Sequence, residues 1–173
     1  GANNTGVGQN VLTANTTGTQ NTAVGTNALD ATTTGSYNTA VGNDALGANT
    51  TGANNVAIGR TAGAANTIGA RNTFLGGSNN VGNGAANTEG VDNTFVGNDT
   101  GGANTTGENN TAVGSDALDA NTTADNNTAV GFSAMTSNTT GTSNTAIGRS
   151  AMSTNTTGDC NVCLLYTSPS PRD

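Results

Sequence analysis

The sequence contains no histidine, no lysine and no tryptophan, and only 9% of its 173 residues are charged. Without histidine the chain lacks the commonest general base and metal ligand, and it cannot form a Ser-His-Asp or Cys-His catalytic arrangement. Eleven acidic residues face four arginines (Arg60, Arg71, Arg149 and Arg172), so the net charge is −7. Because nucleic acids and anionic membranes would repel this chain, we expect neither as a partner. We also expect no enzymatic activity.

Bulky side chains are scarce as well. Hydrophobic residues make up 32% of the chain and aromatic residues 3%, while proline occurs twice and glycine 26 times. This composition is too poor in apolar volume for a conventional globular core and too poor in charge for an ordinary disordered chain. No apolar run is long enough to span a membrane, so we expect no membrane insertion of this segment and no cofactor.

Asparagine, threonine, glycine and alanine recur instead in the repeat N-T-A-V-G-x-x-A-L-x-x-N-T-T-G-x-x. Successive repeats begin seventeen residues apart, except for one step of twenty-one residues between Asn72 and Asn93. Their first residues are Asn4, Asn21, Asn38, Asn55, Asn72, Asn93, Asn110, Asn127, Asn144 and Asn161. Residues 1–162 therefore form an array of nine complete repeats with partial ends. Because Gly1 falls near the end of a repeat, we expect the natural chain to begin upstream.

The first five residues of each repeat have the pattern of a short β-strand that ends at glycine. Seventeen residues are too few for a strand and an amphipathic helix, so the A-L-x-x-N-T-T-G half is predicted to form a second strand and turn. Equivalent strands of successive repeats would then pair in parallel, with a rise of roughly 4.8 Å per coil. The sequence thus predicts an all-β, parallel β-solenoid or β-roll of about 17 residues per coil.

Two columns of side chains are predicted along this solenoid. A structural asparagine ladder would run through the first position of every repeat, where stacked amides form hydrogen bonds between coils. The fourth position is always aliphatic and is predicted to form the core, with small alanines at the third position allowing other chains to approach. This core column comprises Val7, Val24, Val41, Ile58, Leu75, Val96, Val113, Val130 and Ile147. The glycine at position five is expected to need a positive φ or a close backbone approach.

The long repeat has its four extra residues between positions 77 and 86, which predicts a loop on one face. Phe74 and Phe95 replace the third-position alanine in this repeat and the next, and we expect their rings to stack. Asp99 and Asp116 fall on neighbouring coils, as do Glu108 and Asp125. Such pairs are the oxygen ligands that Ca²⁺ prefers, but solvated turn acids are the favoured interpretation, and no metal site is predicted.

The N-T-T run allows three interpretations. Each run is an N-x-T acceptor for glycans, its residues favour turns, and its stacked threonines are typical of an ice-binding surface. The possible glycan acceptors are Asn15, Asn49, Asn104, Asn121, Asn138 and Asn155.

In the last eleven residues, CLLYTSPSPRD at positions 163–173, Leu165 replaces the glycine of position five, and TSPSPRD has no counterpart upstream. They resemble the translation of a transposase adapter used in sequencing libraries, and we interpret them as read-through and not as native protein. The Cys160-x-x-Cys163 spacing is therefore not interpreted as a redox or metal motif.

NTAVG followed by A-L resembles the S-V-A-I-G-x-x-A repeat of trimeric autotransporter adhesin heads, and NTAVGxxALxxNTTG resembles arrays in phage tail-fibre and bacterial surface-fibre proteins. This resemblance covers residues 1–162. It implies a left-handed β-roll of three chains that serves as a shaft or adhesive head, located extracellularly, on the cell surface or on a virion. The expected partners are the chain itself, as a homotrimer, and a host-surface glycan or protein. Two alternatives are a self-assembling extracellular filament subunit, with or without glycans, and a threonine-rich ice- or surface-binding solenoid.

Overall fold

The computed structural model describes residues 1–77 and 83–165 of the chain. In this part ten strands of three residues each form a single parallel sheet, in which the order of the strands is their order in the chain. The strands are β1 (Thr5–Val7), β2 (Thr22–Val24), β3 (Thr39–Val41), β4 (Val56–Ile58), β5 (Thr73–Leu75), β6 (Thr94–Val96), β7 (Thr111–Val113), β8 (Thr128–Val130), β9 (Thr145–Ile147) and β10 (Val162–Leu164). The chain is an all-β parallel β-solenoid of about nine turns with about 17 residues per coil, as predicted.

Equivalent residues of neighbouring repeats pair directly in the sheet. In β2 and β3, Ala23 lies opposite Ala40 and Val24 lies opposite Val41. The register is unchanged across the long repeat, where Phe74 pairs with Phe95. The four additional residues are therefore absorbed outside the strand. Half of the predicted insertion loop, residues 78–82, lies outside the described residues.

The second half of each repeat forms turns and not the second strand that we predicted. Two of its residues have left-handed backbone conformations, for example Asn27 with φ of 56° and Leu29 with φ of 52°. A left-handed residue cannot continue a strand, because extended conformations require negative φ. The turns nevertheless bond to the next coil, for example through the N–H of Leu29, which donates to the carbonyl oxygen of Ala45 at 3.1 Å. Burial of the leucine side chain is worth about 1.5–3 kcal/mol, which offsets the roughly 1–2 kcal/mol cost of its backbone conformation.

The apolar core lies on the opposite side of the strands from the side that we predicted. It is formed by the third-position side chain of each strand together with the alanine and leucine or methionine at positions eight and nine. The buried members include Ala23, Ala28, Leu29, Ala40, Ala45, Leu46, Ala57, Ala62, Phe74, Phe95, Ala112, Ala117, Leu118, Ala129, Ala134, Met135 and Ala146. Because successive side chains of a strand point to opposite faces, an inward alanine forces its two neighbours outward.

This geometry corrects two predictions. The fourth-position aliphatic column lies on the outside of the coil, and the third-position alanines are enclosed within the coil, so they cannot mediate close approach of other chains. The physical reason is space. Leucine or methionine from position nine already fills the narrow interior, and only alanine fits beside it on the strand.

In the middle of the rod, phenylalanine replaces the alanine of position three, and glycine replaces the leucine of position nine. Phe74 and Phe95 occupy position three of two successive coils, and glycine occupies position nine of the same two coils, at Gly84 and Gly101, and of the coil before them, at Gly63. A Cβ atom on Gly101 would lie 2.7 Å from the Phe95 ring, and one on Gly63 would lie 2.5 Å from the Phe74 ring. The aromatic rings therefore fill the volume that leucine fills elsewhere. They contact each other across the coils with centroids 6.1 Å apart, but the ring planes are tilted by 46° and not stacked as we expected.

The start of the segment that we interpret as adapter read-through continues the sheet. Cys163 and Leu164 of β10 pair with Ala146 and Ile147 of β9. Residues 166–173 lie outside the described residues, so the interpretation of 163–173 as read-through stays a prediction.

Candidate functional site

The first-position asparagines form a ladder inside the coil. In every pair of neighbouring coils the backbone N–H of one asparagine donates to the side-chain Oδ1 of the asparagine before it, at 2.9–3.0 Å. The ladder residues from Asn21 to Asn144 are buried, whereas Asn4 in the first coil is half-buried and Asn161 in the last is exposed. The ladder is therefore part of the structural interior and offers no amide surface to a ligand.

A second asparagine ladder, which we did not predict, runs through position twelve. Here the amides bond directly to one another. For example, Nδ2 of Asn121 donates to Oδ1 of Asn104 at 2.8 Å, and Nδ2 of Asn138 donates to Oδ1 of Asn121 at 3.2 Å. Asn66 and Asn87, which lack the N-x-T pattern, belong to the same ladder. The recurrence of asparagine at position twelve, whatever followed it, was the signal in the sequence that pointed to this role.

This second ladder contradicts the proposed glycan sites. Asn49, Asn104, Asn121 and Asn138 are fully buried, and the Nδ2 atom that a glycan would occupy donates hydrogen bonds within the coil. Asn15 and Asn155, near the two ends of the array, are half-buried and also donate through Nδ2. A glycan on any of the four buried amides would require the coil to open at that point.

Both ladders meet at the carbonyl oxygen of position fifteen. The carbonyl of Gly52 accepts from Nδ2 of Asn38 at 2.9 Å and from Nδ2 of Asn49 at 3.0 Å. Glycine is preferred at this point, because a Cβ on Gly52 would lie 2.3 Å from the carbonyl oxygen of Gly69 in the next coil, although Ala124 takes the same position in one coil and its carbonyl accepts the same two bonds. The glycine at position five is equally constrained. Gly25 has φ of 133°, and its Cβ would lie 2.4 Å from the carbonyl oxygen of Gly42.

The threonines of the N-T-T run have two different roles. The first hydroxyl of each run bonds along the rod, as when Oγ1 of Thr50 donates to the carbonyl oxygen of Thr67 at 3.0 Å. The second threonine, for example Thr51 or Thr140, is exposed at a turn. The N-T-T run therefore mainly forms a turn, and the hydroxyl group of its first threonine donates a hydrogen bond to the next coil.

The surface with the most regular chemistry is the outward side of the sheet, formed by positions two and four of the ten strands. We call it the outer face. Position two is threonine except at Val56 and Val162, and position four is always valine, isoleucine or leucine. None of the twenty residues is charged. Since the register is in step from β1 to β10, threonines and aliphatic side chains form two straight columns along the rod.

The aliphatic column of the outer face is substantially exposed. Ile58, Leu75 and Ile147 in the middle of the rod have exposed fractions of 40%, 43% and 42%. Val24, Val41, Val96 and Val130 are half-buried. Aliphatic exposure is ordinary when it is scattered, but a continuous row of it on a sheet marks a surface that contacts something else.

Charged residues lie at the turns and are spread out. Arg71 and Asp92, at position seventeen of successive coils, form a two-point ion pair with distances of 2.7 and 2.8 Å. The hydrogen bond from Arg71 lowers the pKa of Asp92. Both side chains are exposed, so this pair adds little to stability.

Asp119 is the one carboxyl group in the described chain whose pKa is raised. Burial is the main cause, and the nearby carboxylates of Asp116 and Asp99 add to it. Among the described residues no cluster of three or more histidine, cysteine, aspartate or glutamate side chains has the geometry to hold a metal ion. For Glu108 and Asp125, the second predicted pair, the carboxylate of Asp125 accepts the backbone N–H of Glu108 at 2.7 Å. This is the turn role that we favoured for these acids.

Over residues 1–77 and 83–165, no helix has the length and the hydrophobicity that crossing a membrane requires. No protein-family model, no curated protein and no solved structure matches this chain.

Proposed function

We propose that this chain is a non-enzymatic structural segment of an extracellular fibre, a shaft or adhesive head of a trimeric surface adhesin or tail fibre. The proposal rests on the arrangement of side chains inside the coils. Two asparagine ladders, the second interrupted at Thr32, and a shared apolar core run along the coils, so that each coil is completed by its neighbours. Such an interior specifies a straight, rigid, extendable rod, which is what a fibre requires.

The proposal includes three chains in each fibre. One coil buries little more than two alanines and a leucine, and slim folds commonly gain stability from burial against other subunits. The resemblance of the NTAVG repeat to adhesin heads supports both the trimer and a left-handed coil. Localisation on a cell surface or virion, and binding to a host-surface glycan or protein, belong to the same proposal.

The oligomeric state of the purified chain tests this proposal. Sedimentation equilibrium and chemical crosslinking are expected to show three chains per particle at micromolar concentration. A monodisperse monomer over the same concentration range would contradict the fibre proposal.

A second candidate function is binding to ice or to another crystalline surface. The observation that favours it is the outer face, where threonine hydroxyl and methyl groups recur once per coil at roughly 4.8 Å. This column is the one at position two and not the Thr16–Thr17 run that first suggested the function. Thermal hysteresis and faceted ice crystals would support it, and their absence at millimolar concentration would exclude it.

A further inference from the structure

We propose that the outer face is the surface through which copies of this chain associate side by side. The inference rests on the proposed fibre function and adds to it the identity of the contact surface. Its occupant is a second copy of the same chain, whose own outer face supplies the partner surface.

The repeats themselves provide the first argument, because ten coils of one chain can be compared at equivalent positions. Other exposed positions vary freely in chemistry: position six holds Arg60 in one coil, Asn98 in another and Phe132 in a third. Position four, although exposed, holds only valine, isoleucine or leucine in all ten coils. The isolated coil leaves this column half-buried or exposed, so the coil alone does not require an aliphatic side chain at this position in every repeat.

Strand propensity alone does not explain the column. Threonine, tyrosine and phenylalanine suit strands as well as valine does. Position two, on the same strands and the same face, is threonine in eight coils, yet threonine never occurs at position four. The two columns therefore meet different requirements, and the requirement at position four is removal from water.

Charge provides the second argument. Each chain carries a net charge of −7, so two copies repel unless their contact surfaces are free of carboxylates. The outer face is such a surface, because its twenty positions contain no charged residue, whereas Asp44, Asp99 and Asp116 lie on the turns beyond it. Interfaces show the same arrangement, with an uncharged centre and a polar rim.

The available area is the third argument. A standard stable interface takes about 800 Å² from each partner, so the contact surface has to be extended. The two columns of the outer face extend over a length of about 45 Å at the spacing of parallel strands, and Ile58, Leu75 and Ile147 leave 40–43% of their surface exposed. The outer face is therefore an extended, uncharged surface of the kind that such an interface needs, whereas the charged residues lie at the turns.

The test replaces three consecutive members of the column in the full chain. The first variant carries Val96→Thr, Val113→Thr and Val130→Thr, which keeps the β-branched shape and strand propensity while adding hydroxyl groups. The second variant places lysine at the same three positions. The matched control carries Thr106→Lys, Thr123→Lys and Thr140→Lys, which add the same charge to the same coils at exposed turn positions. Far-ultraviolet circular dichroism and thermal unfolding establish that each variant is folded.

The measurement is the concentration at which half of the chains are assembled, by sedimentation velocity. We expect this half-assembly concentration to rise at least tenfold in the threonine variant and at least a hundredfold in the lysine variant. In the control it should stay within threefold of the value for the original chain. If the lysine variant does not fold, the threonine variant decides the outcome. Outer-face variants that assemble as well as the original chain would show that another surface makes the contact, and the fibre proposal would survive. If the original chain is monomeric at every concentration measured, both the fibre proposal and the outer-face proposal are wrong.

Discussion

Replacement of Asn110 by aspartate tests whether the asparagine ladder stabilises the rod. The change alters one NH₂ group to an oxygen and leaves the shape of the side chain almost unchanged. Asn110 is fully buried. Its Oδ1 accepts the backbone N–H of Asn127 at 3.0 Å, and its Nδ2 donates to the carbonyl oxygen of Ala124 at 2.8 Å. Aspartate keeps the first hydrogen bond, but a carboxylate oxygen then faces the carbonyl oxygen of Ala124.

The two opposing effects on an ionised Asp at position 110 can be compared. A charge-assisted hydrogen bond from the N–H of Asn127 favours the carboxylate by about 1.5–3 kcal/mol. Burial without a cation disfavours it by several kcal/mol, and the Ala124 carbonyl oxygen repels it as well. Burial therefore prevails and raises the pKa of the introduced carboxyl group in the folded state. The protonated acid restores a donor to Ala124, so the folded variant retains the proton.

The loss of stability caused by Asn110→Asp is larger at neutral pH than at acidic pH. An aspartate in the unfolded chain has a pKa of about 3.9, and keeping it protonated at pH 7 costs at most about 4 kcal/mol. Because the folded pKa is raised, the destabilisation is absent below about pH 4 and grows by about 1.4 kcal/mol per pH unit above it, up to the folded pKa. We expect the variant to be about 3–4 kcal/mol less stable at pH 7, a large fraction of the 5–15 kcal/mol typical of folded proteins.

Urea unfolding followed by circular dichroism at pH 3.5, 5 and 7 measures this difference directly. The matched control is Asn109→Asp, the same chemical change one residue earlier on an exposed side chain. The control is expected to differ little from the original chain at all three pH values. Equal stability of the two variants at pH 7, or a loss that does not change with pH, would refute the role assigned to the ladder.

Three further predictions concern single columns of the coil. Thr32 interrupts the second ladder and leaves Oδ1 of Asn15 buried without a partner, so Thr32→Asn should add about 1 kcal/mol of stability, measurable as a Tm increase of roughly 2–4 °C. Phe95→Ala should cost about 3–5 kcal/mol by leaving a cavity, and adding Gly101→Leu should recover part of this loss in urea unfolding, whereas Gly101→Leu alone should destabilise. Because the pKa of Asp119 is raised, its ionised form opposes folding above the unfolded pKa. Asp119→Asn should therefore raise Tm at pH 7 and have no effect near pH 3.

The periodicity of the sequence was sufficient to predict the solenoid, its coil length and its register. A seventeen-residue repeat with one strand signal leaves few ways to place equivalent residues, and parallel stacking puts Val24 on Val41. The insertion was also detectable, because the repeats realign at Asn87 and Asn93. These features follow from counting, and no knowledge of packing is needed to find them.

The side of the strand that faces inward could not be decided in the same way. Threonine and valine on one face are bulkier than alanine on the other, and greater volume suggested a core. The decisive information lay in the turn, because the left-handed conformation of Leu29 directs a large side chain into the coil. Little space remains beside it, so Ala23 fits inside and Val24 does not. A left-handed leucine is too uncommon to predict from the residue alone.

The N-T-T run was misinterpreted for a related reason. Asparagine followed by threonine satisfies the glycan acceptor pattern, but the pattern says nothing about burial. Asn66 and Asn87 keep the ladder while Ile68 and Glu89 replace the second threonine, so the ladder asparagine recurs where the acceptor pattern is absent. Constancy within the array thus reflects the requirement of the coil and not a modification.

Some columns of the solenoid are required by the coil itself, as the asparagine ladder is, and others are not. The asparagines, the inward alanines and the glycines of positions five and fifteen recur in most coils because each packs on or bonds to its equivalent in the next coil. An exception in the second ladder leaves a polar atom unsatisfied: where Thr32 replaces asparagine, Oδ1 of Asn15 is buried without a hydrogen-bond partner. The fourth-position column is equally constant, yet within the described chain its exposed side chains, such as Ile58, have no such dependence. A column that is constant without an internal reason requires an external one, and burial against another copy of the chain is the reason that we propose.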